Sequence, residues 1–180
     1  NAIGMQDVCN LMLDIYEQED KEMNLNVAAY SVSSILNSAI FASNELLNAA
    51  PIKLHYDKDT NIKKEIWVDR KKIEYILRNI LSNAYRHISY SGNVKVATFL
   101  KNIDGKEYCC YQIQDDGKSM IEKPAVYLLS KEEGGNELTS QLHVELGIIL
   151  MKEYITAHHG EIRIEQNAET GSCATVYIPK

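Results

Sequence analysis

Four polar side chains stand at helical spacing in DRKKIEYILRNILSNAYRHIS, residues 69–89: Asn79, Asn83, Arg86 and His87, at i, i+4, i+7 and i+8. At roughly 100° per residue they share one side of a helix, clear of most of the apolar stripe formed by Ile73, Ile76, Leu77, Ile80, Leu81 and Ala84. Packing requires only the stripe, so two carboxamides and two basic groups in line form a second organised face. A second chemical feature is Asp115-Asp116-Gly117-Lys118-Ser119-Met120, at the end of an alternating run. Alternation puts Asp115 on the face of Tyr111 and Ile113, the expected core face. An inward carboxylate needs a partner because an unpaired buried charge is costly, and a ligand with an exocyclic amino group would supply one. The competing reading is an ordinary acidic turn closing a strand.

The elements that must position these groups follow from periodicity. Asp69 caps the helix just described. Before it, residues 1–20 carry Val8, Leu11, Met12 and Ile15 on one stripe, a helix too short to be stable alone, which packs on a partner helix or a second copy, or folds back on its own domain. The acidic stretch 17–22 reads as a linker. A second helix is predicted over Ala28–Ala50 with Val32, Ile35, Leu36, Ala39, Leu46 and Leu47 inward and Pro51 as its stop. Strands are predicted at 52–56, 65–69, 94–100 and 107–115, with a hairpin turn at 102–106. A last helix spans 142–158 with Gly160 as its C-cap, followed by a closing hairpin, EIRIEQ and CATVYIP. Helices flanking and interrupting a mostly antiparallel sheet make the class α+β, with the helices on one face.

Composition narrows the function classes. With 180 residues and 45% hydrophobic content the chain can bury one substantial core. A net charge of −6 without a basic stripe argues against a nucleic-acid surface. Cys9, Cys109, Cys110 and Cys173 lack metal-ligand spacing and read as reduced cytosolic thiols; Cys109 and Cys110, adjacent on a strand, cannot both face inward. No apolar run reaches the roughly 18 residues of a membrane span, and there is no signal peptide. Opening on NAIGMQDV, the chain reads as part of something longer.

In order and spacing, several segments resemble the boxes of the ATP-binding domain of sensor histidine kinases, in the superfamily shared with gyrase, heat-shock chaperone and mismatch-repair ATPases. Asn79-Ile-Leu-Ser-Asn83-Ala resembles NLLxNA, and Asp115 to Met120 resembles DxGxG. Glu145-Leu-Gly147-Ile-Ile-Leu-Met-Lys152 stands where the family has GxGLGLxIVK, Ala157-His158-His159-Gly160-Glu161-Ile162 where it has HGGxI, and Gly171 to Pro179 where it has GTxFxxxLP. The resemblance implies a two-layer α/β sandwich, a mixed sheet covered by three helices, over residues 23–180. It implies that residues 1–22 are the tail of the dimerisation hairpin and a linker. ATP and Mg²⁺ are the implied cofactors. Asn83 would hold Mg²⁺ through its side-chain oxygen, Asn79, Arg86 and His87 would approach the triphosphate or metal, and Asp115 would accept from the adenine amino group with Gly117 letting the backbone approach. Ser119, Met120, Gly147 and Cys173 complete the implied nucleotide site. Implied partners are a response regulator receiver domain and a second copy joined through the N-terminal hairpin, in the cytoplasmic part of a membrane-anchored bacterial sensor.

Position 79 separates branches of that superfamily. Branches that activate a water carry a Glu there; Asn79 cannot act as a carboxylate base, so the histidine kinase branch fits best. None of His55, His87, His143, His158 and His159 is followed by the Glu and downstream Pro of the acceptor box, so the acceptor is expected upstream of residue 1. There are departures. Ser119 replaces the second Gly of DxGxG, and His143 and Glu145 replace two lid glycines. If those glycines adopt left-handed angles on phosphate binding, each replacement costs ~1–2 kcal/mol. The pair would then lower affinity by roughly one to three decades. Gly134 and Gly135 could instead supply the lid's flexibility, and the alternative function is a degenerate non-catalytic or phosphatase-biased regulatory domain with weak nucleotide binding.

Overall fold

The computed structural model describes residues 24–43, 52–57, 65–86, 92–117, 147, 149–167 and 171–180. The expectations for residues 1–22, His87, Ser119, Met120, His143, Glu145 and Gly134–Gly135 lie outside these residues. The order is β1 (Ala28–Ser31), α1 (Val32–Ala42), β2 (Ile52–Asp57), β3 (Glu65–Val68), α2 (Arg70–Arg86), β4 (Gly92–Ile103), β5 (Lys106–Asp115), a third helix α3 through 149–157, β6 (Glu161–Asn167) and β7 (Gly171–Pro179). Five strands form one sheet in the order β2-β4-β5-β7-β6. Among the described strands only β2 and β4 pair in parallel. Strands β1 and β3 make a separate antiparallel ribbon.

Local chemistry explains most of these elements. The predicted cap is observed: Asp69 Oδ1 accepts from the Lys72 N–H at 3.3 Å, and the Asp69 carbonyl accepts the Ile73 N–H at 3.1 Å. All six predicted stripe residues of α2 are buried, and they join Val32, Ile35, Leu36 and Ala39 of α1 and Leu150, Tyr154 and Ile155 of α3 in a core against Val94, Val96, Tyr111, Ile113, Val176 and Ile178. Fully burying each such aliphatic side chain stabilises by ~1.5–3 kcal/mol, so the stripe alone fixes α2 on the sheet. The β4–β5 hairpin turns on Asp104 and Gly105, with φ of 51° and 80°, the double left-handed pattern for which Asp-Gly is suited.

One expectation is corrected. Ala28–Ser31 is strand rather than helix, because its main chain pairs with Glu65–Val68, and the alanines' helix propensity yields to that ladder. Helix α1 therefore begins at Val32, and residues 44–50 of the expected longer helix lie outside the description. As expected, Cys109 and Cys110 do not both face the core, although both are fully buried. Alternation still sends them to opposite faces; Cys110 is covered on the far face, flanked across the ladder by Phe99 and Tyr177. Burial pushes its thiol up to about 11, so it is inert.

Candidate functional site

The two chemical features of the sequence border the helical side of the sheet. On α2, Asn79 donates its Nδ2 to the Tyr75 carbonyl at 2.9 Å, an internal bond to its own helix. Its Oδ1 lies against Gly147, 3.5 Å from where a Cβ on that glycine would stand, with the Tyr75 hydroxyl at 3.7 Å. Gly147 is buried, so this residue of the expected lid box packs directly on the polar side of α2. Asn83, one turn further on, is half-buried, and no hydrogen bond joins its carboxamide to any described residue. Arg86 ends α2.

The register joins α2 and α3 in three rungs. Asp69 meets His158, Tyr75 meets Tyr154, and Asn79 meets Gly147, so the two helices run antiparallel. In the middle rung the rings cross edge-to-face at 5.5 Å between centroids, and the Lys72 ammonium lies 4.4 Å from the Tyr154 ring centre. Burial raises the Tyr75 phenol above its ordinary range, and the Asn79 carboxamide beside it pulls the other way. The sequence reading assigned none of Lys72, Tyr75 and Tyr154. Their only signal was aromatic residues at positions flanking two apolar stripes.

At the end of β5, Asp115 is 5% exposed and faces the core as alternation predicts. Its Oδ1 accepts the N–H of Gly117, itself buried, at 3.0 Å. Asp116 has a different task. Its carboxylate accepts the Asn93 N–H at 2.7 Å and the Asn93 Nδ2 at 2.6 Å, while its own N–H donates to the Asn93 carbonyl at 3.2 Å. His55 Nε2 donates to Asn93 Oδ1 at 2.9 Å. Partial burial pushes the Asp116 carboxyl up, but the Asn93 bonds outweigh it and hold the group below the usual range. The acidic-turn reading thus describes Asp116, and leaves Asp115 as the inward carboxylate.

Gly171 closes over this corner. It has φ of 84°, and a Cβ there would stand 2.8 Å from the Asp115 carbonyl carbon and 3.0 Å from the Asp116 Cα. Cys173, two residues on, pairs with Gln114, so its side chain lies on the sheet face opposite that of Asp115 and is not brought together with the other site residues. Burial is the main cause that raises its thiol.

The arrangement offers a buried carboxylate that can accept from an amino group and a half-buried carboxamide oxygen suited to a hard cation, with Gly147 packed beside Asn79 and Gly171 against the Asp115 main chain. Among the described residues no three His, Cys, Asp or Glu side chains converge on a possible metal position. A cation here would take its remaining ligands from water and phosphate, the usual habit of Mg²⁺, and Asn83 fits that role.

Comparison with known proteins accords with this geometry. The chain is 27% identical over 180 residues to the circadian input-output histidine kinase CikA of Synechococcus elongatus, covering 97% of this chain and 23% of that protein, so it spans less than a quarter of that relative's length. Its fold is similar to that of full-length ShkA in complex with AMPPNP, with a TM-score of 0.73 at 16% identity over 96% of this chain and 35% of that one. It is also similar to histidine kinase ThkA in complex with response regulator protein TrrA, with a TM-score of 0.67 at 18% identity over 97% of this chain and 48% of that one. At those identities the structures speak to fold alone. The sequence pattern of the histidine kinase-, DNA gyrase B- and HSP90-like ATPases matches residues 68–180, more than half of the chain, and the chain belongs to that family.

Proposed function

We propose that this chain is the nucleotide-binding catalytic part of a two-component histidine kinase. It binds Mg-ATP beside α2, and in the full protein the γ-phosphoryl passes to a His on a dimerisation hairpin upstream of residue 1, then to a response regulator. The observation that carries the reading is the coexistence, in a family ATPase fold, of the inward Asp115 carboxylate and, on α2, a half-buried Asn83 carboxamide with no hydrogen bond to a described residue. Asp115, steadied by the Gly117 N–H, accepts from the adenine amino group. Asn83 holds Mg²⁺, which when bound neutralises phosphate charge. Arg86 and His87 approach the triphosphate, and Gly147 gives the base of the lid a close seat on Asn79.

The transfer itself asks little of this chain beyond position and charge. Asn79 carries no carboxylate, and its amide is spent on the Tyr75 carbonyl, so no described group on this side of α2 is set to draw a proton from water. That supports transfer to an imidazole rather than hydrolysis. The named partner of ThkA, a response regulator, supports the same destination here. Among the described residues no helix is long and apolar enough to cross a membrane. We extend the reading to dimerisation through residues 1–22 and to a membrane-anchored, cytoplasm-facing sensor.

The experiment is calorimetric titration with a non-hydrolysable ATP analogue and Mg²⁺, beside Asn83→Ala. The wild type should bind, and the variant should lose roughly tenfold or more in Mg²⁺-dependent affinity. No heat up to millimolar analogue would exclude the catalytic reading and favour the weak-binding regulatory domain suggested by Ser119, His143 and Glu145. Binding unchanged in Asn83→Ala would exclude the metal assignment alone.

A further inference from the structure

His158 is the one histidine sealed inside the described structure, at 6% exposure. It is the residue at which α3 ends: His159 follows with φ of 52°, the His159 N–H bonds the Thr156 carbonyl at 2.8 Å, and the Gly160 N–H bonds the Ile155 carbonyl at 2.9 Å. That is a Schellman closure in which His159, not Gly160, takes the left-handed position. Gly160 is needed for a different reason, since a Cβ there would stand 2.6 Å from the Tyr177 carbonyl.

Both ring nitrogens of His158 are committed. Nδ1 lies 2.6 Å from the Tyr154 carbonyl and can only donate to it. Nε2 lies 3.0 Å from the Asp69 backbone nitrogen and can only accept from it. The neutral Nδ1–H tautomer satisfies both, and a protonated ring would aim an N–H at an N–H. The Asp69 side chain meanwhile accepts the Lys72 N–H and, at 3.0 Å through Oδ2, the N–H of Asn26, in the segment that leads into β1. One buried node thus ties together the start of α2, the end of α3 and the strand approach from the N-terminal side.

The node lies at the far end of the three-rung pair from Asn79 and Gly147. The ten residues from Asp69 to Asn79 span ~15 Å of helix, so the node sets the register with which α3 delivers Gly147 to Asn79. We infer that His158 is a positioning residue for the nucleotide site, whose neutral ring locks α3 in register on α2 and whose protonation releases that lock. This deepens the function proposed above and rests on it. The titratable and charged groups facing the ring among the described residues are Asp69 and Lys72 from α2 and Tyr154 and His159 from its own element. Burial is the main cause that lowers the His158 pKa, with Lys72 and His159 adding to it and the Tyr154 carbonyl and Asp69 opposing. A folded value below the free one means that the join is intact above about pH 6.5 and is lost as pH falls through the lower folded value.

The test uses the whole chain with Mg²⁺ and the same ATP analogue, from about pH 7.5 down to about pH 5. The analogue's own phosphate titration is common to all variants and cancels on comparison. Wild-type affinity should fall by roughly three- to tenfold more across that range than that of His158→Gln or His158→Asn, which cannot be protonated. In the nucleotide-free chain, nitrogen-15 spectra of the histidine ring should report the Nδ1–H tautomer, and the Asp69 amide resonance should follow its titration. Equal pH dependence in wild type and variants, or an Asp69 amide that ignores the titration, would overturn the inference. Absence of nucleotide binding at every pH would instead overturn the proposed function and, with it, the positioning role.

Discussion

Gly171→Ala separates two costs that a glycine can carry. At φ of 84° an alanine pays for the left-handed backbone, ~1–2 kcal/mol. At Gly171 the new Cβ would also stand 2.8 Å from the Asp115 carbonyl carbon and 3.0 Å from the Asp116 Cα, both backbone atoms that cannot swing aside as a side chain could. Overpacking of that kind adds ~1–3 kcal/mol, for a total of ~2–5 kcal/mol. Gly105 provides the control. Its φ is 80°, but nothing lies within 4 Å of its Cβ position, so Gly105→Ala should cost the backbone term alone. Urea unfolding of both variants measures the difference. Because the strain falls on the main chain of Asp115, nucleotide affinity should also drop in Gly171→Ala, by roughly tenfold if ~1.4 kcal/mol of it is relieved by moving the carboxylate, and stay unchanged in Gly105→Ala. Equal stability losses in the two variants, or unaltered affinity in Gly171→Ala, would refute the argument that Gly171 is there to let β7 close over the Asp115 corner.

Two more substitutions test the packing. The Tyr111 hydroxyl is buried with no hydrogen-bond partner among the described residues, and burial raises its pKa far above the ordinary phenol value, so Tyr111→Phe should leave stability unchanged or raise it by up to ~1 kcal/mol. A clear loss in denaturant midpoint would mean that the hydroxyl is hydrogen-bonded in solution. His159→Gly, at the left-handed closure of α3, should gain up to ~1 kcal/mol, read by the same unfolding curves; a destabilised variant would show that the imidazole makes a contact worth more than its backbone strain.

The sheet and α2 were legible because each residue's local preference agrees with its surroundings. The alternation of β5 predicted the burial of Tyr111, Ile113 and Asp115 in turn, and the stripe of α2 was read residue by residue. The start of α1 was misread because Ala28 and Ala29 favour a helix in isolation and only their pairing with Val68 and Trp67, some forty residues away, makes them strand. The C-cap of α3 was assigned to Gly160 by type, whereas closure falls one residue earlier, on His159, and Gly160 answers to the crowding of Tyr177.

Within the site, the sequence alone determined the chemical inventory: the polar line Asn79–Asn83–Arg86–His87 on one helix, an Asp at a strand end, and an Asn where a water-activating branch would need a carboxylate. Those depend on residue type and on a helical or strand period that short-range sterics impose. That Asp116 is tied to Asn93, that Cys173 falls on the sheet face opposite Asp115, and how His158 meets Asp69 across 89 positions were decided only by tertiary structure. Strand register and the packing of α3 on α2 bring those atoms together, and neither is written in any local window of the chain.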